Sequence, residues 1–140
     1  MKMKKITIPI LIIIFVIFVS HHLTAKENIN KIEIIYFHAT IRCHTCLTIE
    51  DFINKSVRMF YEKELKDSII TLSSIDFLQP ENEHYQDKYK FDTQTLIISK
   101  KVEGKEINWK NLDKIWDYSN DFEKFRKYIL KEINLFRRLE

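Results

Sequence analysis

Apolar positions in this chain alternate between short continuous runs and longer stretches of helical spacing. Ile32, Ile34, Ile35, Tyr36 and Phe37 form a nearly unbroken run, the pattern of a strand buried on both faces. After Cys43, Ile49, Phe52, Ile53, Val57 and Phe60 recur every three or four residues. Glu50, Asp51, Asn54, Lys55 and Arg58 fall on the opposite side, which predicts a helix reaching about Leu65. A second strand is expected over Ile69, Ile70, Leu72 and Ile75. Pro80 punctuates the loop after it, and residues 81–89 are polar and helix-compatible, with Tyr85 and Tyr89 on one side. Thr95, Leu96, Ile97, Ile98 and Ser99 make a third strand. Residues 105–109 return as its hairpin partner across Glu103-Gly104, where the single glycine of the chain suits a positive φ. The last segment reads as a helix, with Asn120 as N-cap and Glu123 three residues on. Its apolar side carries Phe122, Phe125, Tyr128, Ile129, Ile133 and Phe136, which pack as core against a sheet.

The resulting order, β-α-β-α-β-β-α, predicts an α/β fold with a central mixed sheet of about four strands flanked by helices. A chain of 140 residues is one ordinary domain, and an apolar fraction of 45% is enough for a packed core.

The first 25 residues have another character. Lys2, Lys4 and Lys5 precede an apolar run over residues 6–19, broken only by Thr7 and Pro9. The run is shorter than the ~20 residues of a membrane span but suits a secretory leader, with Leu23-Thr24-Ala25 as a weak cleavage site. Residues 1–25 are therefore expected to be a signal peptide or an uncleaved membrane anchor, and residues 26–140 the exported domain. The lysines stay cytoplasmic and the domain lies outside, periplasmic or otherwise extracytoplasmic. Three of the 23 basic residues lie in this leader, which leaves 20 against 20 acidic residues in the domain. A nucleic-acid role has no electrostatic support in a near-neutral domain.

The two cysteines of the chain form one motif, Cys43-His44-Thr45-Cys46, at the expected start of the first helix. Unsatisfied N–H groups and a partial positive charge at a helix start stabilise a thiolate, the species that attacks disulfides or binds soft metals. As a structural staple the pair is poor, because so small a loop removes little entropy from the unfolded chain. A redox or metal-binding use is favoured. Cys43 is the candidate nucleophile and Cys46, one turn on, the candidate resolving thiol. Arg42 and His44 flank the first sulfur and are candidates to lower its pKa, which makes the disulfide more oxidising. For His38 two readings stand: a proton shuttle facing the pair, or a core histidine bonded to backbone. No glycine-rich loop exists to hold a flavin or nicotinamide, so no cofactor beyond a redox-active disulfide is expected.

A CxxC opening the helix of a βαβ unit, followed by a hairpin and a terminal helix, resembles the thioredoxin arrangement. Thr93-Gln94-Thr95 stands where thioredoxin-like proteins commonly carry Thr-Pro-Thr, with the proline cis and facing the CxxC. At Gln94 a cis bond would cost ~3–4 kcal/mol, so a trans bond is expected, and Gln94 is a candidate to set its amide against the sulfurs. Arg42 replaces the usual tryptophan, and Phe37 stands where thioredoxin buries an aspartate. Tyr36, Phe37, His38, Arg42, Cys43, Thr45, Cys46, Ile49 and Glu50 together resemble a narrower group, the F-type subunit family of nitrophenyl-compound nitroreductase. The loop from Asp76 through Pro80 to Asn82 is also similar to that group. The resemblance implies a redox subunit of a nitroreductase or arsenic-resistance system, working with a disulfide- or thiol-bearing partner protein at the membrane. Two other functions remain open: clipping a soft ion such as As(III) or Cu(I) between the two thiolates, and a non-catalytic assembly role.

Overall fold

The computed structural model describes residues 30–138, so the leader lies outside the described residues. Strand β1 (Asn30–His38) leads into helix α1 (His44–Phe60), the short helix α2 (Glu62–Lys66) and strand β2 (Ile70–Asp76). A 3-10 turn (Pro80–Asn82) and helix α3 (His84–Tyr89) connect to the hairpin β3 (Thr95–Val102) and β4 (Lys105–Asn111). A second 3-10 turn (Asp113–Ile115) precedes the terminal helix α4 (Phe122–Arg138).

The sheet order is β2-β1-β3-β4. Strand β1 runs parallel to β2, from Ile32 opposite Ile70 to His38 opposite Asp76, and antiparallel to β3. The continuous apolar runs belong to β1 and β3 because these are the two central strands, covered on both faces. Ile32, Ile34, Tyr36, Leu96 and Ile98 face α1 and α4; Ile35, Phe37 and Ile97 face α3 and its loops. The element order and strand pairing are those expected of a thioredoxin-like α/β arrangement, a mixed four-stranded sheet flanked by helices. Among the described residues no helix is long and apolar enough to cross a membrane.

Three boundaries differ from the expected ones. The first helix stops at Phe60 rather than near Leu65, because Tyr61 turns into the core and leaves the helical conformation at φ −130°, ψ 30°. Its hydroxyl donates to Asn134 Oδ1 of α4 at 3.1 Å, and α2 restarts behind it, fastened by ion pairs from Lys66 to Glu62 and from Lys63 to Asp67. The expected helix over 81–89 is a 3-10 turn followed by α3, which ends where Lys90 adopts φ 52°. The last helix begins one residue later than an Asn120 cap requires: Asp121 accepts from the Lys124 N–H at 3.1 Å and takes the capping role. At the hairpin, both Glu103 and Gly104 have positive φ, 52° and 80°, the backbone of a turn whose twist matches the strands it joins.

Candidate functional site

The carboxyl ends of β1, β2 and β4 share one end of the sheet, where loops converge and where ligands of α/β proteins commonly bind. Cys43 lies here, joined to Cys46 in a disulfide with the Cα atoms 5.1 Å apart. Cys43 is the N-cap of α1, extended at φ −75°, ψ 166°. Its Sγ accepts from the Cys46 N–H at 3.2 Å, and the first turn of the helix holds no acidic side chain. Both features favour negative charge on this sulfur. The two cysteines differ sharply in access. Cys43 is exposed and Cys46 is only 1% exposed.

Beneath the disulfide, Tyr36 donates from its hydroxyl to the Cys46 carbonyl at 3.2 Å. Burial, reinforced by the nearby Glu50 carboxylate and opposed by Arg42, pushes the Tyr36 phenol up to about 12. The Arg42 guanidinium bonds Glu50 Oε2 through Nη1 and reaches His38 Nε2 through Nη2 at 2.6 Å. Arginine only donates, so Nε2 accepts and the ring proton sits on Nδ1, which donates to the Ala39 carbonyl at 3.0 Å. Glu50 Oε1 accepts from Ser74 Oγ of β2 at 2.6 Å. Ser74 lies opposite Tyr36 in the β1–β2 register, so strand, helix and loop meet at one carboxylate.

A second tie holds the loop from outside. Asp76 accepts from Thr40 Oγ1 at 2.7 Å, from Gln79 Nε2 at 3.1 Å and from the Leu78 N–H at 3.0 Å. The Thr40 and Gln79 bonds hold its carboxyl below the usual range. The Asp76 carbonyl accepts from Asn82 Nδ2 at 2.8 Å, so the loop after β2 braces the loop that delivers Cys43.

The sequence-predicted residues divide as follows. Cys43, Cys46, Arg42 and His38 come together at the sheet end. His44 is exposed at the first helical position, where its carbonyl accepts from Thr48 Oγ1 at 3.1 Å. Gln94 sits at the same sheet end, just before Thr95, which pairs with Phe37. Its side-chain oxygen accepts from Thr93 Oγ1 at 3.0 Å and its carbonyl from Trp116 Nε1 at 3.0 Å, and no cis peptide bond occurs among the described residues. Both ring nitrogens of His38 are engaged, and among the described residues no group of three or more His, Cys, Asp and Glu side chains is arranged to hold a metal ion.

Glu50 is the residue that sequence reasoning missed. Helical periodicity put it on the solvent side, yet its side chain is 19% exposed and its partner Arg42 28%. Spacing carried a usable signal, since Glu50 follows Cys46 by four residues and so shares its face of the helix.

No protein-family model matches the chain, and no curated protein sequence is significantly similar to it. Among solved structures, the thioredoxin of Fasciola hepatica is similar at 20% identity and a TM-score of 0.42, over 72% of this chain and 80% of that one. The thioredoxin of Trypanosoma brucei brucei is 19% identical with a TM-score of 0.41, over 74% of this chain and 76% of that one. A structure described as that of a malarial protein is 20% identical with a TM-score of 0.42, over 69% of this chain and 94% of that one.

Proposed function

We propose that this chain is a thiol–disulfide exchange protein that cycles Cys43 and Cys46 between dithiol and disulfide. The reading is carried by the asymmetry of the pair: an exposed sulfur at a helix start, and a buried sulfur within bonding reach behind it. In the reducing direction the Cys43 thiolate attacks a disulfide of the partner. One Cys43–partner bond forms, and the first partner sulfur leaves as a thiolate that takes up a proton. Cys46 then loses its proton and attacks Cys43, which releases the second partner thiol and closes the Cys43–Cys46 bond. Two electrons pass to the partner, and the oxidising direction is the reverse.

The partner is a protein bearing a disulfide or dithiol. With the leader of residues 1–25 exporting or anchoring the domain, the exchange takes place outside the cytoplasm, beside the membrane. The motif running from Tyr36 to Glu50 supports a place as redox subunit of a nitroreductase or arsenic-resistance system, in which any flavin or nicotinamide belongs to another subunit.

The test equilibrates the purified protein with glutathione buffers of graded ratio and follows the Cys43–Cys46 couple by thiol alkylation. A reversible two-electron transition is expected, and Cys46→Ser should accumulate a mixed disulfide through Cys43. A pair that stays oxidised in every buffer, or a reduced pair that takes up one equivalent of arsenite or copper(I) and no longer exchanges, would replace this reading with a structural or soft-ion role.

A further inference from the structure

Arg42 is adjacent in sequence to the nucleophile, and an unpaired guanidinium there would draw the Cys43 thiol strongly toward its thiolate. The structure does not leave it unpaired. Glu50 holds the guanidinium, Ser74 holds the other oxygen of Glu50, and His38 receives the second guanidinium nitrogen. Glu50 and Arg42 also act in opposite senses on the Tyr36 hydroxyl, which donates to the Cys46 carbonyl at 3.2 Å, so the ion pair lies within electrostatic reach of the segment that carries the sulfurs.

We propose that Glu50 sets the redox poise of the pair as a positioning residue, by pairing with Arg42 and thereby offsetting its positive charge at the Cys43 sulfur. The inference rests on the thiol-exchange reading and adds to it a governor of direction. With the ion pair intact, the couple is less oxidising than its helix start and flanking arginine alone would make it. Without the carboxylate, the reduced form gains charge stabilisation and the disulfide becomes the stronger oxidant. The balanced reaction is that of the Cys43–Cys46 disulfide with two glutathione thiols, giving two protein thiols and one glutathione disulfide.

The experiment measures that equilibrium constant at pH 7 for the wild type, Glu50→Gln, Arg42→Gln and the double variant. Glu50→Gln keeps the size of the side chain and one accepting oxygen for Arg42, can turn its amide N–H toward the Ser74 hydroxyl, and removes the charge. It should move the equilibrium toward the dithiol about tenfold, about 30 mV. Arg42→Gln, which leaves Glu50 uncompensated, should move it in the opposite direction, and the double variant should return close to the wild-type value. Asp51→Asn, which removes a carboxylate paired with Lys55 on the exposed side of the same helix, should leave it unchanged. Loss of folding or of packing cannot produce opposite signs that cancel. Shifts of one sign in all three site variants, or no shift in Glu50→Gln, overturn the proposal while leaving thiol exchange intact. A wild-type pair that does not equilibrate with glutathione removes both.

Discussion

The face of the sheet that carries α1 and α4 is packed mainly with aliphatic side chains, whereas the face under α3 is packed mainly with rings. On the first, Ile32 and Ile34 of β1 meet Ile49, Ile53 and Val57 of α1 and Ile129 and Ile133 of α4. On the second, Phe37 lies 5.1 Å from Tyr85, 4.9 Å from Phe91 and 5.9 Å from Tyr89, and Tyr89 meets Trp109 edge-on at 5.2 Å. Each face also carries one polar network. Under α3, Glu106 accepts from Ser99 and Tyr89 and pairs with Lys88, which ties that helix to the hairpin. Burial alone would raise the Glu106 carboxyl, but these bonds outweigh it and hold the group below its usual value. Under α1 the network of Arg42, Glu50, His38 and Ser74 gathers at the sheet end beside the disulfide. One face therefore uses its polar groups to tie a helix to the hairpin, and the other uses them to hold the loop that carries Cys43.

Substitutions should separate these two uses. The largest effect belongs to Cys43→Ser, which should reduce disulfide exchange with a small-molecule disulfide to the uncatalysed background while leaving the fold intact. Phe37→Ala, at the centre of the ring cluster, should cost about 3–5 kcal/mol in denaturant unfolding, with the redox equilibrium unchanged in the fraction that stays folded. Ile49→Ala should cost about 2–5 kcal/mol on the aliphatic face. Because Ile49 lies three residues beyond Cys46 on the same helix, it should also slow exchange. Equal exchange rates in the two alanine variants would erase the contrast between the faces.

Alkaline unfolding samples both faces at once. Tyr36 and Tyr89 lie on opposite faces, and burial is the leading cause that pushes each phenol up to about 12. A raised folded-state pKa means the folded protein holds the proton more tightly than the unfolded chain, whose phenols titrate near 10. The corresponding stability is present below pH ~10 and is lost as pH rises toward ~12. Tyr36→Phe and Tyr89→Phe should each flatten part of that decline in urea unfolding curves taken across the range. The smallest effect is expected at Ser56, whose buried hydroxyl has no hydrogen-bond partner. Ser56→Ala should leave stability unchanged or raise it by up to about 1 kcal/mol.

Much of this molecule could be read from local pattern. The runs at residues 32–37 and 95–99 are central strands because a strand covered on both faces stays apolar at successive positions, as residues 34–37 and 96–98 do, instead of alternating. The CxxC opens a helix because the spacing of Ile49, Ile53 and Val57 behind it is helical and each is buried. The break at Tyr61 was not legible. A tyrosine fits helical spacing, and it leaves the helix where it packs into the core and α4 offers Asn134 to its hydroxyl. The cap at Asp121 rather than Asn120 was equally hidden, since both residue types are good N-caps and local preference does not choose between neighbours.

The chain by itself determined which segments form strands and helices and where the two sulfurs stand, because apolar periodicity and a short sequence separation are local properties. Tertiary structure alone decided what surrounds those sulfurs. Glu50 is nominally a solvent-side helix residue until the loop through Arg42 folds back over it and β2 brings Ser74 alongside. Charge partners are chosen by contacts between elements distant along the chain, and periodicity within one element carries no record of them.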